Sequence, residues 1–226
     1  RSSHCMTCGA KIRVIDLRHV FSWLMLRGKC HSCGEKISPR YPIVESLNGL
    51  LYILTFLVLD INVKSIITCL LMSLLVVVAF MDWDTMEINM IIVLIIGLLA
   101  VPLQIFTDEV TLKNRIIGAL IISVPFFLIG EISRPIIKKK FGEDFRAIEQ
   151  GDSFLMIAAG AVLGTQAVIV STLIGIFSAA IGGSIIKAVK KDSKFPFGPF
   201  LAIGIAVGLL WGTDLADWYL GLLRTE

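Results

Sequence analysis

Ala147-Ile148-Glu149-Gln150-Gly151-Asp152-Ser153-Phe154-Leu155-Met156 is the stretch that decides the fold class. Its first half ends a charged loop; its second half opens an apolar run. A carboxylate at the point where a loop meets a membrane span is costly to keep there, so an ionisable residue in that place marks a functional site by default. Gly151 beside it has no Cβ and lets another segment approach closely. A second carboxylate, Asp82, ends another apolar run 70 residues earlier. The two acids read as one site.

Composition sets the environment. The chain has 226 residues, is 56% hydrophobic and 17% charged, and has a mean hydropathy of +0.84. A soluble domain is nearer a quarter charged, so that class is excluded. Seven apolar segments run at about 43–60, 64–81, 88–106, 114–134, 153–165, 166–187 and 197–216. Their lengths approach the roughly 20 residues that a helix needs to cross a bilayer. Barrel strands alternate in polarity and are about half as long. The expected fold is an all-α polytopic membrane protein with about seven transmembrane helices. The division between the fifth and sixth segments falls near Gly164-Thr165-Gln166. The chain opens on Arg1 without an initiator Met and in mid-loop, which implies a preceding N-terminal segment.

Lys and Arg give the orientation. With residues 1–42 in the cytoplasm, the cytoplasmic side holds 17 Lys and Arg residues. The outer side then holds four, Lys64, Lys113, Arg115 and Arg224. Cytoplasmic loops carry this excess, so the opposite orientation is disfavoured. Asp82 and Asp152 both fall on the cytoplasmic face in this arrangement. The Lys138-Lys139-Lys140 and 187–194 clusters suit anionic membrane lipid. No nucleic-acid partner is implied.

Residues 1–42 are polar and basic and read as a separate cytoplasmic domain, with 43–226 forming the transmembrane domain. Four of the five cysteines form two Cys-x-x-Cys pairs, Cys5/Cys8 and Cys30/Cys33, with 21 residues between the pairs. That spacing points to a four-cysteine structural zinc site. Redox pairs or disulfides are the alternative, and a cytoplasmic location argues against disulfides. A unit this short needs such a staple, because it cannot build a large core. Its core candidates are Ile12, Val14, Phe21, Trp23, Leu24, Leu26 and Ile37. His4 and His31 flank the pairs and read as surface residues. Cys69 lies in an apolar run and reads as a packing residue.

Two carboxylates within hydrogen-bond reach cannot both ionise easily, and they share a proton. One can take a proton from water while the other protonates the attacked group. The plainer reading is helix capping, because Asp is a favoured N-cap and Asp152 precedes a helix. Asp84 rivals Asp82 from two residues away.

Several stretches in order resemble the type IV prepilin peptidase family of membrane aspartic proteases. Arg1-Ser2-Ser3-His4-Cys5-Met6-Thr7-Cys8 resembles its first cysteine pair. Ser22-Trp23-Leu24 through Leu26-Arg27-Gly28-Lys29-Cys30-His31-Ser32-Cys33 resembles the second. Ile37-Ser38-Pro39-Arg40-Tyr41-Pro42-Ile43-Val44-Glu45 is similar to the stretch that leads into the membrane. Gly151-Asp152 with Gly160 and Leu163-Gly164 looks like its second catalytic block. Pro196-Phe197-Gly198-Pro199-Phe200-Leu201-Ala202 looks like its C-terminal signature.

The resemblance implies that Asp82, with Ile88 six residues on, is the first catalytic Asp rather than Asp84. It implies that Asp152 is the second, the Asp of a Gly-x-Gly-Asp motif. Glu149 replaces the first Gly of that motif, Asn89 stands where Pro is usual, and Phe154 stands where Lys is frequent. Glu149 is expected to face solvent or a basic residue, because pointing inward it would raise the protonation of the pair.

The implied activity is cleavage of the leader peptide from a prepilin or pseudopilin at the cytoplasmic face of the bacterial inner membrane. Family members often also methylate the new N-terminus using S-adenosylmethionine, through residues in a first span that is not expected among these 226 residues. Two rival classes are a proton- or ion-coupled transporter using the two Asp residues, and a non-catalytic zinc-bearing scaffold. Transporters place charges nearer mid-span, often in repeated helices, and no repeat is visible here.

Overall fold

The computed structural model describes residues 4–5, 7–11, 19–107, 109–141, 146–190 and 195–224. Among these, ten helices follow in order: α1 (His19–Met25), α2 (Arg40–Leu59), α3 (Val63–Thr85), α4 (Met90–Leu98), α5 (Ala100–Thr107), α6 (Leu112–Ile121), α7 (Ser123–Phe141), α8 (Gln150–Leu163), α9 (Thr165–Lys190) and α10 (Gly198–Arg224). Two compact units divide the chain, Arg1–Leu54 and Thr55–Glu226, and the division falls inside α2.

Among the described residues, six helical stretches are long and apolar enough to cross a membrane: Arg40–Leu59, Val63–Thr85, Met90–Thr107, Leu112–Lys140, Thr165–Ile186 and Gly198–Leu223. The chain is an all-helical, multi-pass membrane protein. The fifth of the seven expected segments is α8, which has only 14 residues. At 1.5 Å per residue it spans roughly 21 Å, short of the ~30 Å hydrocarbon core. Its break from α9 falls at Gly164, which adopts φ +76°, a left-handed turn open mainly to glycine.

Local chemistry explains the boundaries. Asn62 caps α3, its side chain accepting from Ser65 N–H while Ser65 returns a bond to Asn62 N–H. This is a capping box, in which two free helix-end donors are satisfied together. Asn89 caps α4 by accepting from Ile91 N–H at 2.9 Å. Asn at the usual Pro position therefore still starts a helix. The second and third spans of the larger unit are each two helical pieces, interrupted at Leu99 and at Ile122. Each interruption lies three residues before a proline, Pro102 and Pro125. A proline ring collides with the carbonyl four residues back and removes one helical donor, which breaks the helix there.

In the larger unit α10 packs along both α3 and α9, and α8 packs against α4, α6 and α7. The α6–α8 contact is made backbone to backbone. A Cβ on Gly118 would meet the main chain of Gly160 and Gly164, closer than side chains tolerate. Leu71, Met72, Leu155, Met156 and Leu201 are fully buried in the core. Most of the remaining large apolar side chains are exposed, as a bilayer-facing surface requires.

The smaller unit contains two matching turns. In the first, Gly9 N–H donates to Cys5 O and Cys5 N–H to Ala10 O, both at 2.9 Å. In the second, Gly34 N–H donates to Cys30 O at 2.9 Å and Cys30 N–H to Glu35 O at 2.7 Å. Gly9 and Gly34 both have positive φ, +69° and +72°. Trp23 covers Gly28 and donates from Nε1 to Ile37 O at 3.1 Å. The expected core is only partly present: Phe21 is 76% exposed, Leu24 60% and Ile37 38%. A chain this short folds around its turns and cysteines rather than around an apolar centre. Ile12 and Val14 lie outside the described residues.

Candidate functional site

Asp82 sits in the last turn of α3 and is 6% exposed. Its carboxylate Oδ2 accepts the backbone N–H of Gly198 at 2.8 Å, across 116 residues of sequence. Gly198 is the first residue of α10, so this N–H is one that the helix itself leaves unpaired. Asp82 thus lies against the positive end of α10.

Asp152 sits in the first turn of α8 and is 4% exposed. The cap of α8 is Glu149, not Asp152. Asp152 stands three residues in and binds the Glu149 N–H. The capping expectation is therefore corrected in position: Glu149 is the cap residue of α8, and Asp152 lies in its first turn. Gly151 packs against Ile88, and a Cβ there would lie 3.0 Å from the Ile88 Cβ. The segment after Asp82 is thereby seated on the segment before Asp152.

The two acids feel each other. Asp152 lies outside the six spans, and its carboxyl is pushed up to about 7. Burial is the largest cause, followed by the negative charge of Asp82. The Glu149 N–H pulls the other way, and the Glu149 carboxylate adds a further upward push. Glu149 is exposed, as expected, yet its charge acts on Asp152. Asp84 is exposed.

Sequence reasoning missed the clamp that holds this end of α8. Glu131 of α7 accepts from Arg146 Nη2 at 2.9 Å and from Gln150 Nε2 at 3.2 Å. Between them, Ala147 N–H donates to Ser133 Oγ at 2.9 Å. Gly130 leaves room for the Ile148 carbonyl, which a Cβ would meet at 2.6 Å. A lone Glu at the end of the fourth apolar segment was the available signal. The Gly198 N–H was also missed, although the stretch around it stood out; a main-chain donor leaves no side-chain trace.

The four cysteines of the smaller unit come together. Their sulfurs all lie within 4.8 Å of one another, with Cys5 Sγ and Cys33 Sγ 3.9 Å apart. No disulfide joins them, and the group could hold a metal ion. Thiolates at ~2.3 Å from a tetrahedral zinc stand ~3.8 Å from each other, so the observed spacing fits. The Cys5 thiol is held down to about 6 by the backbone amides of Cys8 and Thr7. Cys33 is pushed up to about 12: the Glu35 amide pulls it down, but burial and the other three thiols outweigh that.

Fold and acids together define a class, the multi-pass helical membrane protein with two buried carboxylates at the ends of separate helices. The sequence pattern of the type IV leader peptidase family matches residues 69–184, and that of the bacterial peptidase A24 N-terminal domain matches residues 1–59. A prepilin leader peptidase/N-methyltransferase of Aeromonas hydrophila is 31% identical, over 96% of this chain and 74% of that protein. One from Aeromonas salmonicida is 30% identical, over 98% and 75%. A type 4 prepilin-like proteins leader peptide-processing enzyme of Escherichia coli O78:H11 is 31% identical, over 89% and 72%. No solved structure matches the chain. The chain belongs to the type IV leader peptidase family. Membership makes it a peptidase and disfavours the transporter reading.

Proposed function

We propose that this protein is a membrane aspartic endopeptidase that removes the leader from type IV prepilins or pseudopilins, with Asp82 and Asp152 as the catalytic pair. The observation that carries the reading is the burial of two carboxylates within electrostatic reach of each other, at the ends of α3 and α8. The names of its relatives supply the substrate class.

Asp82, bonded to the α10 N-terminus, is the ionised partner. It takes a proton from a water whose oxygen attacks the scissile carbonyl carbon. Asp152 gives its proton to the carbonyl oxygen, forming a neutral gem-diol. Collapse of the diol breaks the C–N bond, and a proton passes to the departing amine. No covalent intermediate forms, and the acids end in the protonation state from which they can restart.

The bias of Lys and Arg supports a cytoplasmic catalytic face in the bacterial inner membrane, because residues 134–151, which lead into Asp152, alone carry five of them. The domain division at 1–42 and 43–226 follows from the same polarity shift. Cys5, Cys8, Cys30 and Cys33 hold a structural zinc ion, which supplies cross-linking rather than chemistry. Methylation of the product's new amine, with S-adenosylmethionine as donor, is the second reaction suggested by relatives that carry the N-methyltransferase name.

Incubation with a leader-bearing pilin precursor tests the reading. The wild-type protein yields the shortened product. Asp152→Asn and Asp82→Asn each lower the rate by about 100-fold or more, the usual share of general acid–base groups. Undiminished cleavage by either variant overturns the assignment.

A further inference from the structure

Pro196-Phe197-Gly198-Pro199 brings the start of α10 up to Asp82, and its prolines narrow the choice of amide that meets the acid. Neither proline has an N–H. Phe197 O accepts from Phe200 N–H at 3.1 Å and from Leu201 N–H at 3.2 Å, which closes the first turn of the helix. Gly198 is left as the donor at the helix end, and its N–H goes to Asp82 Oδ2 at 2.8 Å. The segment before it, 195–197, is not helical, so the backbone ladder alone does not fix the aim of this amide.

Four phenylalanine rings hold it from two directions. The Phe197 ring meets that of Phe126 on α7, with centroids 6.2 Å apart and planes inclined at 39°, and Phe126 is buried. Phe195 and Phe200 meet edge to face, with centroids 6.0 Å apart and planes at 68°. Tilted and edge-to-face pairs are the favoured arrangements of aromatic rings, so they fix direction as well as distance. Both of the latter rings rest on a pair of glycines in α9. A Cβ on Gly182 would lie 2.5 Å from Phe200 Cζ, and one on Gly183 would lie 3.0 Å from Phe195 Cζ. The residues on either side of Gly198 are thus tied to α7 and to α9. Because α7 also carries Glu131, which holds the turn that starts α8, one helix refers both acids to a common frame.

We propose that Phe126, Phe197 and Phe200 are positioning residues of the acid pair, acting through the Gly198 N–H on Asp82 and not by touching substrate. Ring geometry is what they contribute. Leucine at 126 keeps the place apolar but has no face to set the tilt of Phe197. The effect on rate rests on the catalytic reading of Asp82; the hold on the Gly198 amide rests on the packing alone.

The test reads two quantities in the full chain: cleavage of a leader-bearing pilin precursor, and hydrogen exchange across 195–201. Two prolines in that segment carry no amide proton, so few signals share it with Gly198. Phe126→Leu and Gly182→Ala each lower kcat about 10-fold with KM unchanged, as misplacement of a catalytic group does, and each speeds exchange in the segment. Gly198→Ala already displaces the carboxylate, so adding Phe126→Leu to it costs less than about twofold more, the non-additivity of groups that act as one unit. Phe200→Leu shortens the ring that Gly182→Ala pushes away, and the double variant regains most of the rate that Gly182→Ala loses. Full kcat in both single variants overturns the proposal. So does unchanged exchange, or a further loss of about 10-fold when Phe126→Leu joins Gly198→Ala, which is the additive result for independent sites. Exchange needs no substrate, so the two failures are distinguishable: full cleavage by Asp82→Asn sinks the catalytic reading, while unchanged exchange in the ring variants sinks this one.

Discussion

The main-chain N–H of Gly198 points at the carboxylate of Asp82, 2.8 Å away, and there is no space for a side chain between them. A Cβ built on Gly198 would lie 2.8 Å from Asp82 Oδ2 and 3.0 Å from its Cγ. The start of α10 is therefore shaped to the acid rather than to solvent. Gly198→Ala would force the carboxylate aside and remove a hydrogen bond to a charged group, worth about 1.5–3 kcal/mol. Cleavage is expected to fall roughly 10-fold or more, through kcat. Crowding against Pro199 adds a small stability cost, so the melting temperature is measured beside the rate. A fully active Gly198→Ala enzyme contradicts this placement of Asp82.

The pH profile follows from Asp152. Its carboxyl is pushed up to about 7 by burial and then by the charge of Asp82. The proton needed for the carbonyl oxygen is present below that value and lost above it. Cleavage should fall as pH rises through about 7. The fold shares this dependence: the raised value contributes stability that is fully present below the unfolded value of about 4 and is lost as pH rises through the folded one. Glu149 pushes in the same upward direction. Glu149→Gln removes that charge, so the alkaline limb should move to lower pH. A limb that stays in place shows that Glu149 does not act on the pair.

Glu131 is expected to position Asp152 without touching substrate. One of its oxygens holds Arg146 and Gln150 together, on either side of the turn that starts α8. Glu131→Ala frees both, and Arg146 Nε already lacks a partner in a buried place. The rate should drop about 10-fold, as a misplaced catalytic group does, and limited proteolysis near 146–150 should quicken. Glu131→Gln keeps an acceptor and should recover part of the rate. Equal loss in both variants would point to the charge itself rather than to the hold on the turn.

Legibility differed by scale. Apolar length carried the membrane fold, because it is a local property of the chain. The Cys-x-x-Cys pairs were equally open to reading, since metal spacing is written in sequence. The break near Gly164-Thr165-Gln166 was also legible, but that α8 falls short of a span was not. The close packing of Gly118 on Gly160, a contact between distant residues, holds α8 against α6. The Asp82–Gly198 bond was hidden for a similar reason: it links residues 116 positions apart through a main-chain atom. Phe21 and Leu24 misled in the opposite sense, because apolar character alone does not say whether a residue enters a core.

Metal removal should unfold the smaller unit and leave the helices of the larger one. Four sulfurs within 4.8 Å of one another are held by two short turns and few apolar contacts. Zinc in comparable small sites contributes about 10–16 kcal/mol, far more than those turns could replace. Purified protein should carry one zinc per chain by elemental analysis. Cys30→Ser or Cys33→Ser should lower that content strongly and expose the unit to protease, whereas Cys69→Ser, a buried cysteine that is not one of the four, should keep the zinc. Because thiolates bind the metal and thiols do not, affinity should also decline as pH falls. A protein that carries no zinc, yet resists protease across 19–54, would show that the cysteines hold the fold by other means.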